Sequence, residues 1–274
     1  MLIDYHLHNH FSPDSREDTR KIVEKAIEMG IKEICITNHP ELHDKNTGKG
    51  IFRSKEARDR FRKIKAELDD VQKEHPGISI GFGVELEYVE NWMDELTEFV
   101  KETDFDFILG SVHIVRSVII SSHLFADELY SKTDEQTAYN AYFDNMMSLV
   151  EWGHLDVVAH FDINKKFGHK FYGPFQPEKY KDRIIPILER MKEKGIGLEL
   201  NTKCMDTKCK ELFPHPVILN WAVEVGINNF TFGSDAHKAK DVGQFIQEAM
   251  EIAKKAGIKS ISTYSKRIPT LHAI

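Results

Sequence analysis

The feature that most constrains the fold of this 274-residue chain is a regular alternation of short apolar runs with longer amphipathic stretches. The runs are rich in Ile, Val, Leu and Phe, and about seven of them lie at 2–8, 33–39, 78–87, 105–113, 155–161, 196–202 and 229–237. Most stretches between them repeat apolar residues at spacings of three and four, which predicts amphipathic helices. Parallel strands joined by crossover helices have this pattern.

The same alternation predicts a closed or nearly closed α/β barrel. Four predicted helices end at a glycine suited to a left-handed cap: Gly30, Gly153, Gly195 and Gly226. No linker rich in Pro, Gly or Ser divides the sequence, so we expect a single domain over residues 1–274. A last helix is predicted over 241–257, and a short edge strand over 258–265.

Composition restricts the partners of the chain. The sequence has no apolar run of about 18 residues and no signal-peptide pattern, so we expect a cytoplasmic protein without a membrane partner. The net charge of -7 argues against a nucleic-acid partner. Cys35, Cys204 and Cys209 match neither a disulfide framework nor paired zinc motifs, which predicts reduced thiols. The sequence gives no indication of the oligomeric state.

Nearly every predicted strand ends in a residue able to bind a metal ion. These residues are His6, His8, His39, Glu85, His113, His160, Asp235 and His237. The carboxyl ends of the strands in an α/β barrel open on one face, so the side chains are expected to converge. A single histidine is more often a core residue than a ligand, but buried charged groups are excluded unless paired or metal-bound. Six histidines and two carboxylates exceed the needs of one tetrahedral zinc ion, and they predict a cluster of two or three ions.

Two neighbours of the first histidines allow more than one interpretation. Asp4 lies on the same side of the strand as His6, where it either orients a ligand or makes an ordinary core hydrogen bond. His10 continues the alternation but lies beyond the predicted strand, so it either supports a ligand or is solvated.

The order and spacing of these motifs resemble the polymerase and histidinol phosphatase (PHP) family. The matching segments are "HLH", "TNH", "GVELE", "GSVH", "VVAHF" and "GSDAH", within about residues 1–240. The resemblance implies a distorted seven-stranded (β/α) barrel, similar to the TIM barrel, that holds two or three divalent ions of Zn, Fe or Mn. It assigns one ion to His6, His8, Glu85 and Asp235, a second to Glu85, His113 and His160, and a third to Asp14, His39 and His237. Asp14 is identified by the resemblance alone, because a residue after Pro13 is typical of a turn.

Within the family, the motifs are most similar to those of the histidinol-phosphate phosphatases. The resemblance implies hydrolysis of L-histidinol phosphate to L-histidinol and phosphate, in histidine biosynthesis, by a metal-activated hydroxide. The expected catalytic residues are Glu85, His113, Asp235 and His237. Three divalent ions and the three carboxylates leave the site with about three positive charges, which suits a phosphate monoester dianion as a small-molecule substrate.

Substrate contacts are expected from basic residues near the strand ends. Relatives carry a basic residue shortly after the fifth-strand histidine, and Lys165 or Lys166 supplies it here, with Lys165 preferred. Arg116 either contacts the phosphate or is a solvated loop residue. His123 or Asp162 is expected to protonate the leaving group. The long connections 40–60 and 114–136 are expected to form the pocket walls.

Three other functions remain open. A barrel amidohydrolase also begins with an HxH strand, but it usually needs a Lys or a bridging carboxylate on the fourth strand, where this chain has His113. A phosphoesterase for another phosphomonoester, a nucleotide or a phosphotyrosine substrate would use the same metals. A non-catalytic PHP module is disfavoured because the chain has a full ligand set and no polymerase.

Overall fold

Seven parallel strands form one sheet in chain order in the computed structural model, which describes residues 1–43, 50–207 and 210–274. The strands are β1 (Ile3–Leu7), β2 (Glu33–Ile36), β3 (Ser79–Glu87), β4 (Phe107–Ser111), β5 (Val157–Val158), β6 (Gly197–Asn201) and β7 (Phe230–Gly233). The strands are buried along nearly their whole length, which is why they read as apolar runs in the sequence.

Nine α-helices are present in the described part of the chain. They are α1 (Thr19–Glu28), α2 (Ser54–Glu74), α3 (Met93–Lys101), α4 (Ala126–Tyr130), α5 (Glu135–Trp152), α6 (Lys165–Tyr172), α7 (Lys181–Lys194), α8 (Pro216–Val225) and α9 (Ile246–Lys255). Local chemistry sets their ends: α5 begins where Asp134 accepts a hydrogen bond from the Thr137 N–H, and it ends at Gly153. All four glycines predicted as left-handed caps have positive φ, which confirms those helix ends.

The barrel is closed between β7 and β1 by side-chain hydrogen bonds more than by a strand ladder. A single bridge joins Leu7 to Ala236. Below it, the buried carboxylate of Asp4 accepts hydrogen bonds from the Ser234 N–H and hydroxyl and from the Gly243 N–H. Asp4 also accepts a long bond from the His6 N–H. The core hydrogen-bond interpretation of Asp4 is therefore the better one, and burial raises its pKa to about 6.

A C-terminal hairpin covers the amino-terminal end of the barrel. Its strands are β8 (Ser260–Ser265) and β9 (Ile268–Ala273), and the sequence predicted only the first. Tyr264 packs against Phe107 at a ring-centroid distance of 4.8 Å and against Tyr5 at 6.2 Å. Arg267 at the turn pairs with Asp156 at 3.0 Å. The end of the barrel opposite the strand carboxyl termini is thus sealed by apolar packing and a salt bridge.

Several predicted strands are shorter than the sequence indicated. His39, His113, His160, Asp235 and His237 follow the strands and do not lie within them. The parallel ladders stop two or more residues earlier, and the chain then turns towards the barrel axis, with positive φ at His160 and Asp235. The apolar pattern could not show this, because residues just after a strand are as buried as those within it.

Two short antiparallel hairpins follow β2 and β4. One pairs Leu42–His43 with Gly50–Ile51, and the other pairs Ile114–Val115 with Val118–Ile119. Each of the two connections predicted as pocket walls therefore contains a short antiparallel pair of strands. Residues 44–49 of the first connection lie outside the described residues.

The cysteines differ from the prediction of three reduced thiols. Cys35 is a buried free thiol, as predicted. Cys204 is disulfide-bonded, so the prediction was wrong for that residue. Cys209 lies outside the described residues.

No helix in the described part of the chain is long and apolar enough to cross a membrane.

The hairpin that covers the barrel end gives a prediction about stability. Tyr264→Ala should lower the free energy of unfolding by about 3–5 kcal/mol, because it leaves a cavity against Phe107 and Tyr5. Ile268→Ala, in the exposed strand of the same hairpin, is the control and should change the value by less than about 0.5 kcal/mol. Urea unfolding measures both variants. Equal effects of the two substitutions would show that the hairpin does not seal the barrel.

Candidate metal centre

The structure brings all nine predicted ligand residues together at the carboxyl ends of the strands. They are His6, His8, Asp14, His39, Glu85, His113, His160, Asp235 and His237. All except Asp14 and His237 are buried. Four overlapping groups of three residues have donor atoms within 4.8 Å of one another. Convergence follows from the barrel, because eight of the nine residues lie in a parallel strand or shortly after its carboxyl end. Asp14 lies further along the connection after β1.

Glu85 lies at the centre of this cluster, and its two carboxylate oxygens face different histidines. Oε2 is 2.8 Å from His6 Nε2 and 3.4 Å from both His8 Nε2 and His39 Nε2. Oε1 is 2.9 Å from His160 Nε2 and 3.4 Å from His113 Nε2. A carboxylate with one oxygen towards each of two donor groups has the arrangement of a bridging ligand.

Charge and burial shift the pKa values of the histidines in the cluster by different amounts. Burial lowers the pKa of His8 to about 3, and the nearby His237 acts in the same direction. Burial also lowers the pKa of His113 to about 3, although Glu85 opposes the shift. Both imidazoles are therefore neutral at pH 7 and have a lone pair available for a ligand.

Glu85 itself is held in its charged form. Burial alone would raise the pKa of this carboxyl, but the facing imidazoles of His6, His39 and His113 lower it well below its usual range. A carboxylate with 1% of its surface exposed is costly unless it is paired or bound to a cation.

Carboxylates behind the cluster orient several ligand imidazoles. Glu87 Oε2 is 2.8 Å from His113 Nδ1, and Glu41 Oε1 is 3.1 Å from His39 Nδ1. Close carboxylate contacts of this kind restrain the ring so that Nε2 can present its lone pair to a metal. In both pairs the Nε2 atom points towards Glu85.

A third group of donors lies nearer the surface. Asp14 Oδ2 is 2.9 Å from His237 Nε2 and 3.7 Å from His39 Nε2. The side chain of Asp14 is 44% exposed, which explains why a burial pattern could not identify it. These are the three residues to which the family resemblance assigns a third ion, and Asp14 and His237 also form a group of close donor atoms with His8.

The donor set fits divalent metal ions. His8 Nε2 is buried without a hydrogen-bond partner, and it faces the oxygens of Glu85 and Asp235. The Nε2 atoms of His113 and His160 point at each other across 3.1 Å. Unpaired and opposed imidazole nitrogens around carboxylates are the donors that Zn²⁺, Fe²⁺ and Mn²⁺ accept.

A cavity of about 870 Å³ opens above the cluster. Its floor includes His39, Glu85, His113, Asp235 and His237. The segment after β4 lines one side through residues 119 and 121–125, as predicted for a pocket wall. The connection after β2 contributes Leu42 among its described residues.

The two adjacent lysines after β5 have different environments. Lys165, the preferred phosphate contact, is 1% exposed and does not line the cavity. Its Nζ lies 2.8 Å from Asp162 Oδ2, 2.8 Å from the Leu212 carbonyl and 3.2 Å from Glu211 Oε2. Lys166 does line the cavity. Sequence alone could not choose between them, because the choice depends on which side of α6 faces the barrel.

The remaining candidates are also separated by the structure. Arg116 lies at the exposed tip of the 114–119 hairpin and does not line the cavity, so the loop interpretation is the one that fits. Asp162 is buried against Lys165, whereas His123 lines the cavity. His10 is partly exposed and lies 3.5 Å from Glu67, away from the cluster.

Sequence reasoning missed several polar residues around the cavity. Arg16 and Lys203 line it, and Lys203 Nζ donates to the Asp235 carbonyl at 2.6 Å. Glu199 on β6 contacts two ligand residues. Glu199 had a visible signal, because it is the charged member of an apolar strand and alternates with Leu198 and Leu200.

The PHP domain family model matches residues 4–203. Because that match covers most of the sequence, this chain belongs to the PHP domain family. Its matched region begins in β1 and ends just after β6.

Relatives with assigned names resemble the chain over nearly its full length. The histidinol-phosphatase of Lactococcus lactis subsp. lactis is 29% identical over 272 residues, which cover 96% of this chain and 94% of that protein. The histidinol-phosphatase of Bacillus subtilis is 27% identical over 266 residues, with 90% and 98% covered. A crystal structure of histidinol phosphate phosphatase from Lactococcus lactis, complexed with zinc, L-histidinol and phosphate, matches with a TM-score of 0.80 and 25% identity over 98% of each chain.

The protonation state of the cluster predicts how metal binding depends on pH. Burial lowers the pKa of His6 and His39, but facing carboxylates outweigh it and raise both values well above the usual range. In the metal-free protein these imidazoles therefore carry protons at neutral pH, and an incoming ion must displace them. The affinity for Zn²⁺ or Mn²⁺ should therefore rise with pH through neutrality and continue to rise up to the raised pKa values of His6 and His39.

Competition with a chromophoric chelator measures this affinity across the pH range. The number of protons released follows from calorimetry in buffers of different ionisation enthalpy. An affinity independent of pH, with no proton release, would contradict the assignment of these histidines as ligands.

Proposed function

We propose that this protein is a metal-dependent phosphatase that hydrolyses L-histidinol phosphate to L-histidinol and phosphate. The observation that carries the proposal is Glu85, whose two oxygens face two separate histidine groups at the floor of an open cavity. The substrate is supported by the Lactococcus lactis structure, which holds zinc, L-histidinol and phosphate.

The first ion is assigned to His6, His8, Glu85 and Asp235, the second to Glu85, His113 and His160, and the third to Asp14, His39 and His237. Divalent ions bound there would polarise phosphoryl oxygens and lower the pKa of water. Zinc is favoured by the Lactococcus lactis complex, and manganese and iron also suit this donor set.

Among the residues that the structure describes, three cationic side chains line the cavity and bring positive charge to it: Arg16, Lys166 and Lys203. Lys203 is fixed by its bond to the Asp235 carbonyl. Lys166 makes a long contact, 3.4 Å to the Ser121 carbonyl, and its Nζ lies 5.3 Å from the centroid of the Phe167 ring. Neither contact is a short ion pair, so the ammonium can turn to a phosphoryl oxygen. Burial lowers the pKa of this amine. We assign phosphate binding to Lys166 in place of Lys165.

The leaving alkoxide needs a proton, and His123 is placed to give it. This exposed side chain lines the cavity, whereas Asp162 is buried in its ion pair with Lys165. A histidine donor suits proton transfer near neutral pH.

Another phosphomonoester is a second candidate substrate. The cations and the metal ligands all recognise the phosphate, and none of these contacts depends on the leaving group. Selectivity must therefore come from the cavity walls, including Leu124 and Phe125.

Phosphate release by the metal-loaded protein tests the proposal. The rate for L-histidinol phosphate should exceed that for a panel of other phosphomonoesters by about a hundredfold, because leaving-group contacts in a fitted pocket supply a few kcal/mol. Glu85→Ala should abolish release, and exposed Glu90→Ala is the control. Equal rates across the panel would retain a phosphatase but reject histidinol phosphate as its specific substrate.

The two adjacent lysines provide a matched pair of variants. Lys166→Met should lower kcat/KM by about 10- to 100-fold through loss of a charged hydrogen bond, with little effect on stability. Lys165→Met should instead destabilise the fold by about 3–5 kcal/mol, because it leaves Asp162 buried and unpaired. Steady-state kinetics and urea unfolding separate the two effects. The reverse pattern would restore Lys165 as the phosphate contact.

A further inference from the structure

A buried carboxylate on β6 links two histidines that are assigned to different ions. Glu199 is 1% exposed and lies between β5 and β7. Its Oε1 is 2.7 Å from His6 Nδ1. Its Oε2 accepts a hydrogen bond from the backbone N–H of His160 at 2.8 Å and a second from Asn201 Nδ2 at 3.1 Å.

The bond to His160 is made where the backbone is strained. His160 has φ 23, which is unfavourable for a residue with a side chain. This turn directs the His160 imidazole at Glu85 Oε1, 2.9 Å away. A conformation of this kind persists only when neighbouring contacts hold it, and the carboxylate of Glu199 contacts the amide of that residue.

The neighbouring strand β7 leaves space for this carboxylate. A Cβ at Gly233 on β7 would lie 2.1 Å from Glu199 Oε1 and 2.6 Å from His6 Cβ. Glycine at this position therefore lets Glu199 reach across β7 to β1. The absence of a side chain at Gly233 explains how a residue of β6 can contact His6 on β1.

Glu87 provides a comparison with a more local role. It binds His113 Nδ1 and the backbone N–H groups of His113 and Ile114, all in one segment. Glu199 instead contacts two separate segments, β1 and the turn after β5. His6 in the first segment faces one carboxylate oxygen of Glu85, and His160 in the second faces the other.

We propose that Glu199 is a positioning residue that sets the spacing of the two ions bridged by Glu85, one bound through His6 and the other through His160. The inference rests on the proposed metal-dependent function. A glutamine at this position has a single oxygen, so it can keep the contact to His6 Nδ1 or the contact to the His160 N–H, and not both. Whichever contact is kept, the link between β1 and the turn after β5 is broken. Because the proposed spacing of the two ions depends on that link, one substitution should affect both.

Titration of Mn²⁺ into the metal-free protein tests this coupling without substrate. In Glu199→Gln the two tightest sites should both weaken by about 10- to 100-fold, and the electron paramagnetic resonance signal of an exchange-coupled Mn²⁺ pair should disappear. In the control Glu87→Gln only one of the two sites should weaken. Weakening of one site or of neither in Glu199→Gln would overturn the proposal.

A measurement on the unmodified protein covers the case in which Glu199→Gln does not fold. In the zinc-loaded protein labelled with ¹⁵N-histidine, nuclear magnetic resonance should show His6 bound to zinc through Nε2, with a slowly exchanging proton on Nδ1. Zinc bound through Nδ1 of His6 would overturn the proposal. Because both tests read metal binding, a failed histidinol phosphate assay would leave their results interpretable.

Discussion

The structure depends on holding one charged carboxylate, Glu85, at a site where only 1% of its surface is exposed. An unpaired carboxylate in that position would be strongly unfavourable. Five imidazole nitrogens lie within 3.4 Å of its two oxygens, and they come from four separate segments of the chain. Only a fold that brings distant segments to one axis can supply them, and a parallel barrel does so at the carboxyl ends of its strands.

The two ends of the barrel are therefore stabilised by different interactions. The end with the ligands is polar and open, and its residues are held by charge and hydrogen bonds that constrain the backbone, as at His160 and Asp235. The other end is sealed by Tyr264 against Phe107 and by the salt bridge of Arg267. Stability contributed at the sealed end lets the open end retain a strained and highly charged site.

A second layer of carboxylates makes the ligand arrangement specific. Glu41 lies against His39, which is near it in sequence, and Glu87 lies against His113, just after the neighbouring strand, whereas Glu199 joins two segments that are far apart in the chain. The adjacent residues Lys165 and Lys166 show the same division of roles. One ammonium neutralises a buried aspartate, and the other lines the cavity.

The sequence by itself predicted the order of the seven barrel strands and eight of the nine clustered residues, because apolar runs that end in His, Asp or Glu have few other physical explanations. It predicted seven of the nine helices in the described part of the chain and missed the short helices α4 and α6. Family resemblance added Asp14, which is too exposed for a burial argument. Only the tertiary structure decided which lysine faces the cavity, that Arg116 lies at a hairpin tip, and that Glu199 passes over Gly233 to His6. Those outcomes depend on which side of an element faces the axis and on space left by another strand. Neither is encoded in the local pattern of a single segment.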